Sequence, residues 1–417
     1  MDARASAAGR VRARAARRRG EGDAEPSAVD PRPHQAAHRR PGLSVVDVLV
    51  VNWNSRADTL ACLGAVTAQA RALDATVTLV DNGSTDGSIA AVKQQFPSVR
   101  LLPLGKNLGF TGGLAAGLKR SPGRNAVFLN NDAVPEEGWL HALVEAIESA
   151  PDDVVSVGGK IVDPSGALVD FIGGVMTFDG HAFQSFFRYP LAAADEPAAG
   201  AELLFACGGN MISRRDALLA LGGFDDDYFA YLEDVDFGWR TWIAGKRALY
   251  EPRAVVRHKS SATSNRLGDF ERGVLFERNA LQTVLKNAES LRELGGAALF
   301  AFLHRLHHYT TRRNKKAGEL TRPALTGKHK PAILDDPLTS MQFRALEWIF
   351  ANEARIAAKR AAVQQSRART DAEIFARFPL HAVPTYPGDE ALMASPLFRE
   401  LLPEGAVAKG LAEIMKR

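Results

Sequence analysis

Cysteine is scarce: two residues in 417, Cys62 and Cys207, exclude a disulfide scaffold and any cysteine-rich zinc module. Long apolar runs are missing too. Leu294–Leu303 (LGGAALFAFL) is about half the ~20 residues that a membrane-spanning helix needs. The N-terminus is rich in Arg but has no Lys among its first 40 residues and no apolar h-region, which argues against a secretory signal. No GxSxG occurs, so a serine nucleophile on a strand-to-helix elbow is excluded. No Gly-Lys-Ser/Thr occurs either, which removes a Walker A phosphate loop.

What remains is an ordinary globular composition, 46% hydrophobic and 24% charged, in a chain long enough for two or three domains. The formal net charge of +4 is unevenly spread. Residues 1–40 carry ten Arg against five acidic residues, and residues 286–377 carry 17 Lys/Arg against 9 Asp/Glu. The rest is acidic. A basic segment beside an acidic one suits an anionic partner such as a membrane surface; nothing points to nucleic acid.

From Val45 the pattern becomes periodic. VVDVLVVNW (45–53) is the continuous β-branched run of a strand buried on both faces. The pattern predicts a helix over about 57–72, a strand at 75–83, a helix over about 87–96, a strand at 99–104 and a helix over about 112–120. A strand at 125–132 follows, then a helix after Pro135 with Glu136 and Glu137 in its first turn, and a strand at 154–163. Repeated β-α units predict an α/β fold with a doubly wound, mostly parallel sheet. LLFACGGNMISRRDALLALGG (203–223) reads as strand, turn, helix and Gly stop. A helix over about 232–244, strand material at 247–260 broken at Pro252, and an amphipathic helical stretch over about 270–317 come next.

In such sheets ligands bind beyond the carboxyl ends of the strands. Three polar positions follow apolar runs there: Asn52, Asp81, and Asn130-Asn131-Asp132. Asp81 suits the imide N–H of a base or a ribose hydroxyl, or alternatively an Asx-turn. Lys106–Gly113 (KNLGFTGG), containing Asn107 and Gly109, lets a ligand approach the backbone closely and opens a helix whose N–H groups face an anion. Asp132 suits a hard divalent cation beside a diphosphate, or a cap on the turn that follows. The cluster GFDDDYFAYLEDVDFGWR (223–240) is the densest in acid. Asp225, Asp226 and Asp227 read as turn caps or solvated charges, and Asp236 with Arg240 as a structural i,i+4 pair. Glu233 and Asp234 sit among aromatics, where burial raises proton affinity and makes a general base. His258 reads as a metal ligand or phosphate contact, or as a hydrogen-bonded core residue.

Seven stretches together, VVNWNS (50–55), VDNGSTDGS (80–88), NLGFTGG (107–113), FLNNDA (128–133), GGNMISRRDALLALGGFDDDYF (208–229), YLEDVDFGWR (231–240) and HKSSAT (258–263), resemble the family 2 inverting glycosyltransferases of GT-A fold, in particular the bacterial rhamnosyltransferase-like branch. The resemblance spans about residues 45–290. It implies a GT-A domain over 44–285; composition marks 1–43 as a disordered basic extension, and the pattern predicts a helical region over 286–417. The resemblance also implies that Asn52, Asp81, Asn107, Gly109, Asn130 and Asn131 bind a nucleoside-diphosphate sugar. Asp132 and His258 then hold a divalent cation (Mg²⁺ or Mn²⁺), and Asp234 with Glu233 supplies the base. The implied acceptor is a glycan or lipid-linked species of cell-surface polysaccharide synthesis. In a protein expected to be cytoplasmic, the Leu/Phe/His/Arg amphipathic pattern of 286–316 reads as peripheral contact with the inner membrane face, or alternatively as a helix packed on the catalytic domain. Asn130 stands where the family's metal motif has its first Asp, and Leu114 and Ala115 stand where relatives carry asparagines. The competing readings are a nucleotidyltransferase and a non-catalytic nucleotide-sugar-binding protein on the same fold.

Overall fold

The structure, a computed structural model, describes residues 46–260, 267–313 and 336–415. The extension expected over 1–43 and the end of the HKSSAT stretch lie outside the described residues. The first half of the chain runs β1 (Val46–Asn52), α1 (Arg56–Ala72), β2 (Thr76–Asp81), α2 (Ser88–Gln95), β3 (Arg100–Pro103), α3 (Gly109–Arg120), β4 (Asn125–Asn130), β5 (Ala133–Pro135), α4 (Trp139–Ser149) and β6 (Val154–Val162). Short strands follow: β7 (Val169–Phe171), β8 (Gly174–Met176), β9 (Ala182–Gln184) and β10 (Glu202–Leu203). Then come β11 (Asn210–Arg214), α5 (Arg215–Ala220), α6 (Glu233–Ile243), β12 (Arg247–His258), α7 (Asp269–Asn287) and α8 (Leu294–Arg313). The C-terminal part holds α9 (Pro337–Ala351), α10 (Glu353–Gln365), α11 (Asp371–Arg377), β13 (His381–Ala382), α12 (Asp389–Ala394), α13 (Pro396–Leu401), β14 (Val407–Ala408) and α14 (Leu411–Ile414).

The main sheet runs β10-β12-β6-β11-β4-β1-β2-β3. Its β4-β1-β2-β3 half is wholly parallel, as the apolar runs predict. Every residue of β1 is buried, with Val48, Leu49 and Val50 at 0% exposure, each worth roughly 1.5–3 kcal/mol of burial. β11 enters antiparallel between β4 and β6, and β12 returns parallel to β6. The result is a mixed, mostly parallel α/β sheet.

Several local readings change. LLFACGG is mainly a loop, and the strand is Asn210–Arg214. α4 starts at Trp139 behind a left-handed Gly138, so Glu136 and Glu137 precede it; Glu136 instead pairs with Arg257 at 2.8 Å. Pro252 does not end the strand, because β12 absorbs it in a register shift between Glu251 and Val255. The helical stretch after 270 is two helices, and α7 runs across the 285/286 boundary expected between domains.

The C-terminal helices pack on this sheet unit. Trp242 meets Phe378 edge-on at 4.9 Å and Trp239 meets Phe375 at 5.4 Å. Buried Arg305 of α8 reaches Asp179 at 2.7 Å and Asp389 at 3.0 Å, while His181 lies 3.2 Å from both Asp179 and Glu277. Among the described residues, no helix is long and apolar enough to cross a membrane.

Candidate active site

Parallel register brings the strand-end polar residues together: Asn52 pairs with Asp81 across β1 and β2, and Val51 with Asn130 across β1 and β4. Asn52 Nδ2 donates to Asp81 Oδ1 at 2.9 Å and to Ser84 Oγ at 3.0 Å. Its Oδ1 accepts from Thr59 Oγ1 at 2.8 Å and Asn131 Nδ2 at 3.2 Å. Ser84 N–H donates to Asp81 Oδ2 at 2.9 Å. This buried network stitches the strand ends to α1.

Beyond it opens a cavity of about 650 Å³. Asn107, Gly109, Asn130, Asn131, Asp132, Glu233, Asp234 and His258 line it, whereas Asn52 and Asp81 do not. Aromatic side chains form much of the remaining wall, among them Trp53, Phe110, Phe183, Phe187 and Phe205. Leu411 and Met415 of the C-terminal segment reach it as well.

On one side Asp132 Oδ1 lies 3.1 Å from His258 Nε2, and Asn130 Nδ2 lies 3.3 Å from the same nitrogen. Asp170, which the sequence reading missed, holds the other ring nitrogen: its Oδ2 lies 2.9 Å from His258 Nδ1 and also accepts from Ser260 Oγ. Burial disfavours the charged ring, but the hydrogen bonds and charges of Asp132 and Asp170 outweigh it and raise the His258 pKa to about 9. The 3.1 Å contact is an ion pair as it stands, and a divalent cation would take Asp132 and His258 as ligands by displacing the Nε2 proton. A carboxylate behind the imidazole is the usual support for a metal-binding histidine. Asp132 and His258, backed by Asp170, are thus the residues that could hold a divalent cation.

The acidic pair opens α6. Asp234 is half-buried, with Oδ1 accepting from Val235 N–H at 2.9 Å and Oδ2 from Gly208 N–H at 3.3 Å. Burial raises its pKa, opposed by those N–H donors. Glu233 is more deeply buried, and its Oε2 has no hydrogen-bond partner. Burial first, and the Asp234 charge second, push its carboxyl up to about 8. Both acids line the cavity; burial favours the neutral form of Glu233, whereas Asp234 is less buried and accepts two backbone N–H bonds, so the two groups suit different roles.

The turn before this pair is strained. Phe229 (φ 63°, ψ −57°) is the centre of a positive-φ γ-turn closed by Ala230 N–H on Tyr228 O at 2.7 Å. Tyr231 and Leu232 also have positive φ, 71° and 62°. Such residues cost of order 1–3 kcal/mol each and persist only where the surroundings over-determine them. Phe229 O also accepts from Thr111 N–H at 3.2 Å, so a first-turn amide of α3 expected to face an anion is already engaged. Gly109 (φ 76°) is required here, because a Cβ would lie 2.4 Å from Phe229 O.

Asp225, Asp226 and Asp227 form the acidic cluster with metal-like spacing among the described residues. Asp225 is buried rather than solvated, paired with Lys286 at 2.6 Å and Lys359 at 2.5 Å; Lys359 also reaches Asp227 at 2.6 Å. Cations from α7 and α10 thus match its charge. Arg240 bonds Asp236 at 2.8 Å and Gly223 O at 2.7 Å, the structural role expected of that pair.

The family model "Glycosyl transferase family 2" matches residues 47–222. The chain is 32% identical over 212 residues to an N-acetylglucosaminyl-diphospho-decaprenol L-rhamnosyltransferase of Mycobacterium tuberculosis, covering 45% of this chain and 67% of that protein. It is 30% identical over 225 residues to the O-antigen biosynthesis protein RfbC of Myxococcus xanthus, covering 52% of this chain and 17% of that protein. Among solved structures it is similar to a mannosyltransferase from Pyrobaculum calidifontis in complex with GDP-Man and Mn²⁺, with TM-score 0.44 and 17% identity over 72% of this chain and 86% of that one.

Proposed function

The chain belongs to glycosyl transferase family 2, and from that premise we propose an inverting transfer of a sugar from a nucleoside diphosphate to a lipid-linked or glycan acceptor. The carrying observation is that the acidic pair and the Asp132–His258 pair line one cavity. Asp234 accepts the proton of the acceptor hydroxyl. The freed oxygen attacks the anomeric carbon, the bond to the diphosphate oxygen breaks, and the configuration inverts. No covalent nucleophile is required. Asp132 and His258 would hold a divalent cation, Mg²⁺ or Mn²⁺, which offsets the charge on the departing diphosphate. Asn107 and Gly109 line the donor side, with Asn52 and Asp81 fixing the strand ends beneath. The relative named for decaprenol-linked N-acetylglucosamine supports a lipid-linked acceptor.

Incubation with Mn²⁺ and a panel of UDP-, dTDP- and GDP-sugars identifies the donor by release of its nucleoside diphosphate. Asp234→Asn is expected to lower transfer at least 100-fold, within the range for losing a general base, with donor affinity unchanged. Normal transfer by that variant would remove the proposed base.

The lipid-linked reading extends to a membrane contact through α8. One side of this helix is buried through Ala297, Ala301, Phe302 and Arg305, while Leu299, Phe300 and Leu303 are exposed. Leu397 and Leu401 are exposed on α13, whose Phe398 stacks on Phe300 at 6.0 Å. Replacing Leu299, Phe300 and Leu303 together by Ser is expected to lower co-flotation with anionic phospholipid vesicles severalfold while leaving transfer to a soluble acceptor intact. Undiminished flotation would count against this contact.

A further inference from the structure

Three positive-φ residues stand directly before Glu233 and Asp234, and one buried side chain meets the backbone that carries them. Asn279 of α7, at 0% exposure, directs Nδ2 at the carbonyls of Tyr228 (3.0 Å), Ala230 (2.8 Å) and Tyr231 (2.9 Å). An amide has two N–H groups, so the three carbonyls share them. The neighbouring Arg278 sets the amide's orientation: its Nε–H donates to Asn279 Oδ1 at 3.1 Å, which leaves Nδ2 facing the turn. Its Nη2 adds bonds to Asp227 O at 2.7 Å and Tyr228 O at 3.1 Å. Tyr228 is anchored to the same helix through its hydroxyl, 2.6 Å from Thr283 Oγ1.

We infer that Asn279, oriented by Arg278, is a positioning residue that holds residues 228–232 in their strained turn and so aims the acidic pair into the cavity. It touches neither donor nor acceptor. Phe229, Tyr231 and Leu232 have no intrinsic preference for positive φ. The carbonyls of 228, 230 and 231 converge on one point only while the turn is wound, and the amide rewards that convergence. Without it the turn relaxes toward ordinary φ, and the first turn of α6, where both acids sit, rotates with it. The Phe229 O–Thr111 N–H bond links the same turn to α3, so donor loop and base share one support.

The inference rests on Asp234 as base, and the test separates the two claims. Wild type, Asp234→Asn, Asn279→Ala and Arg278→Lys are compared for kcat, for KM of the donor and for affinity toward the released nucleoside diphosphate. Amide hydrogen exchange over 228–234 is followed in parallel. Asn279→Ala is expected to lower kcat at least 30-fold with nucleotide affinity within threefold, and to speed exchange across 228–234 at least tenfold while the central strands stay protected. Arg278→Lys keeps the charge but loses the planar fork; it is expected to show the same pattern at 3- to 10-fold. Wild-type kcat or unchanged exchange in Asn279→Ala overturns the inference. So does a parallel fall of kcat, nucleotide affinity and melting temperature, which marks a general structural role. If Asn279→Ala lacks a cooperative melt, Arg278→Lys decides by the same criteria. A fully active Asp234→Asn overturns the base assignment instead, and the exchange result still reports on the turn.

Discussion

Replacing Glu233 by Gln is expected to stabilise the protein, and to do so more as the pH rises. Glu233 is 6% exposed and its Oε2 lacks a partner. Burial and the nearby Asp234 hold its pKa at about 8, against 4.5 for an unburied glutamate. Between those two values the folded protein keeps a proton that the unfolded chain has released. Wild-type stability therefore falls as pH rises through that window, by at most about 1.4 kcal/mol per pH unit. The full window sets an upper bound of roughly 4–5 kcal/mol. Asp234 shares the titration and the cavity admits water, so an increment of about 2 kcal/mol between pH 5 and pH 8 is the working expectation.

Gln keeps the shape of the side chain and does not titrate. Urea unfolding of wild type and Glu233→Gln at pH 5, 6, 7 and 8 thus isolates the carboxyl. The stability gap should widen steadily in favour of the variant as pH rises. Parallel curves, or a gap that closes with pH, would show that Glu233 is ionised in the folded protein and that its environment has been misread. The assignment of roles within the pair would then fail as well, because a second anion beside Asp234 at neutral pH changes which group accepts the proton.

Two further outcomes follow from contacts distant in sequence. Asp170→Asn removes the carboxylate behind His258 Nδ1 and is expected to weaken Mn²⁺ binding by 10- to 100-fold, read by the electron paramagnetic resonance of free Mn²⁺ without any turnover; unchanged affinity would make Asp170 a bystander. Arg305→Met leaves Asp389 buried without its cation and Asp179 with His181 as its remaining cation, so equilibrium unfolding should lose about 3–5 kcal/mol, and a loss below about 1 kcal/mol would refute that account of how α8 is held.

The parallel half of the sheet was legible because one short-range pattern states it. Runs such as VVDVLVV bury both faces, and the polar residue ending each run falls on the same edge once the strands pair in parallel. The acidic pair was legible for a related reason: carboxylates among aromatics conflict with burial unless they have work to do. β11 was not legible, since antiparallel insertion between β4 and β6 is a tertiary choice that five residues cannot announce. Asp170 escaped because its partner lies 88 residues away, reached only when β7 folds back on β6.

Asn279 escaped for a different reason, and one that can be corrected. Along α7 the helical period assigns Val274, Leu275, Leu281 and Val284 to the core and invites the reader to leave the polar residues outside. Yet Glu277, Asn279, Gln282, Thr283, Lys286 and Asn287 are all buried too. A helix wrapped in solvent on its polar side has no need of so many short amides and hydroxyls; lysines and glutamates serve there at lower entropic cost to helix formation. Polar residues that hydrogen-bond poorly with their own helix, placed on a helix flanked by apolar stripes, need partners elsewhere. Glu277 finds its partners in His181 and Gln342, and Lys286 and Asn287 find theirs in Asp236. For Asn279 they are the carbonyls of a turn whose own residues, Phe229, Tyr231 and Leu232, have side chains unsuited to its backbone. At Asn279 the two anomalies explain each other: the turn is held because the helix offers this amide, and the amide is buried because the turn supplies its acceptors.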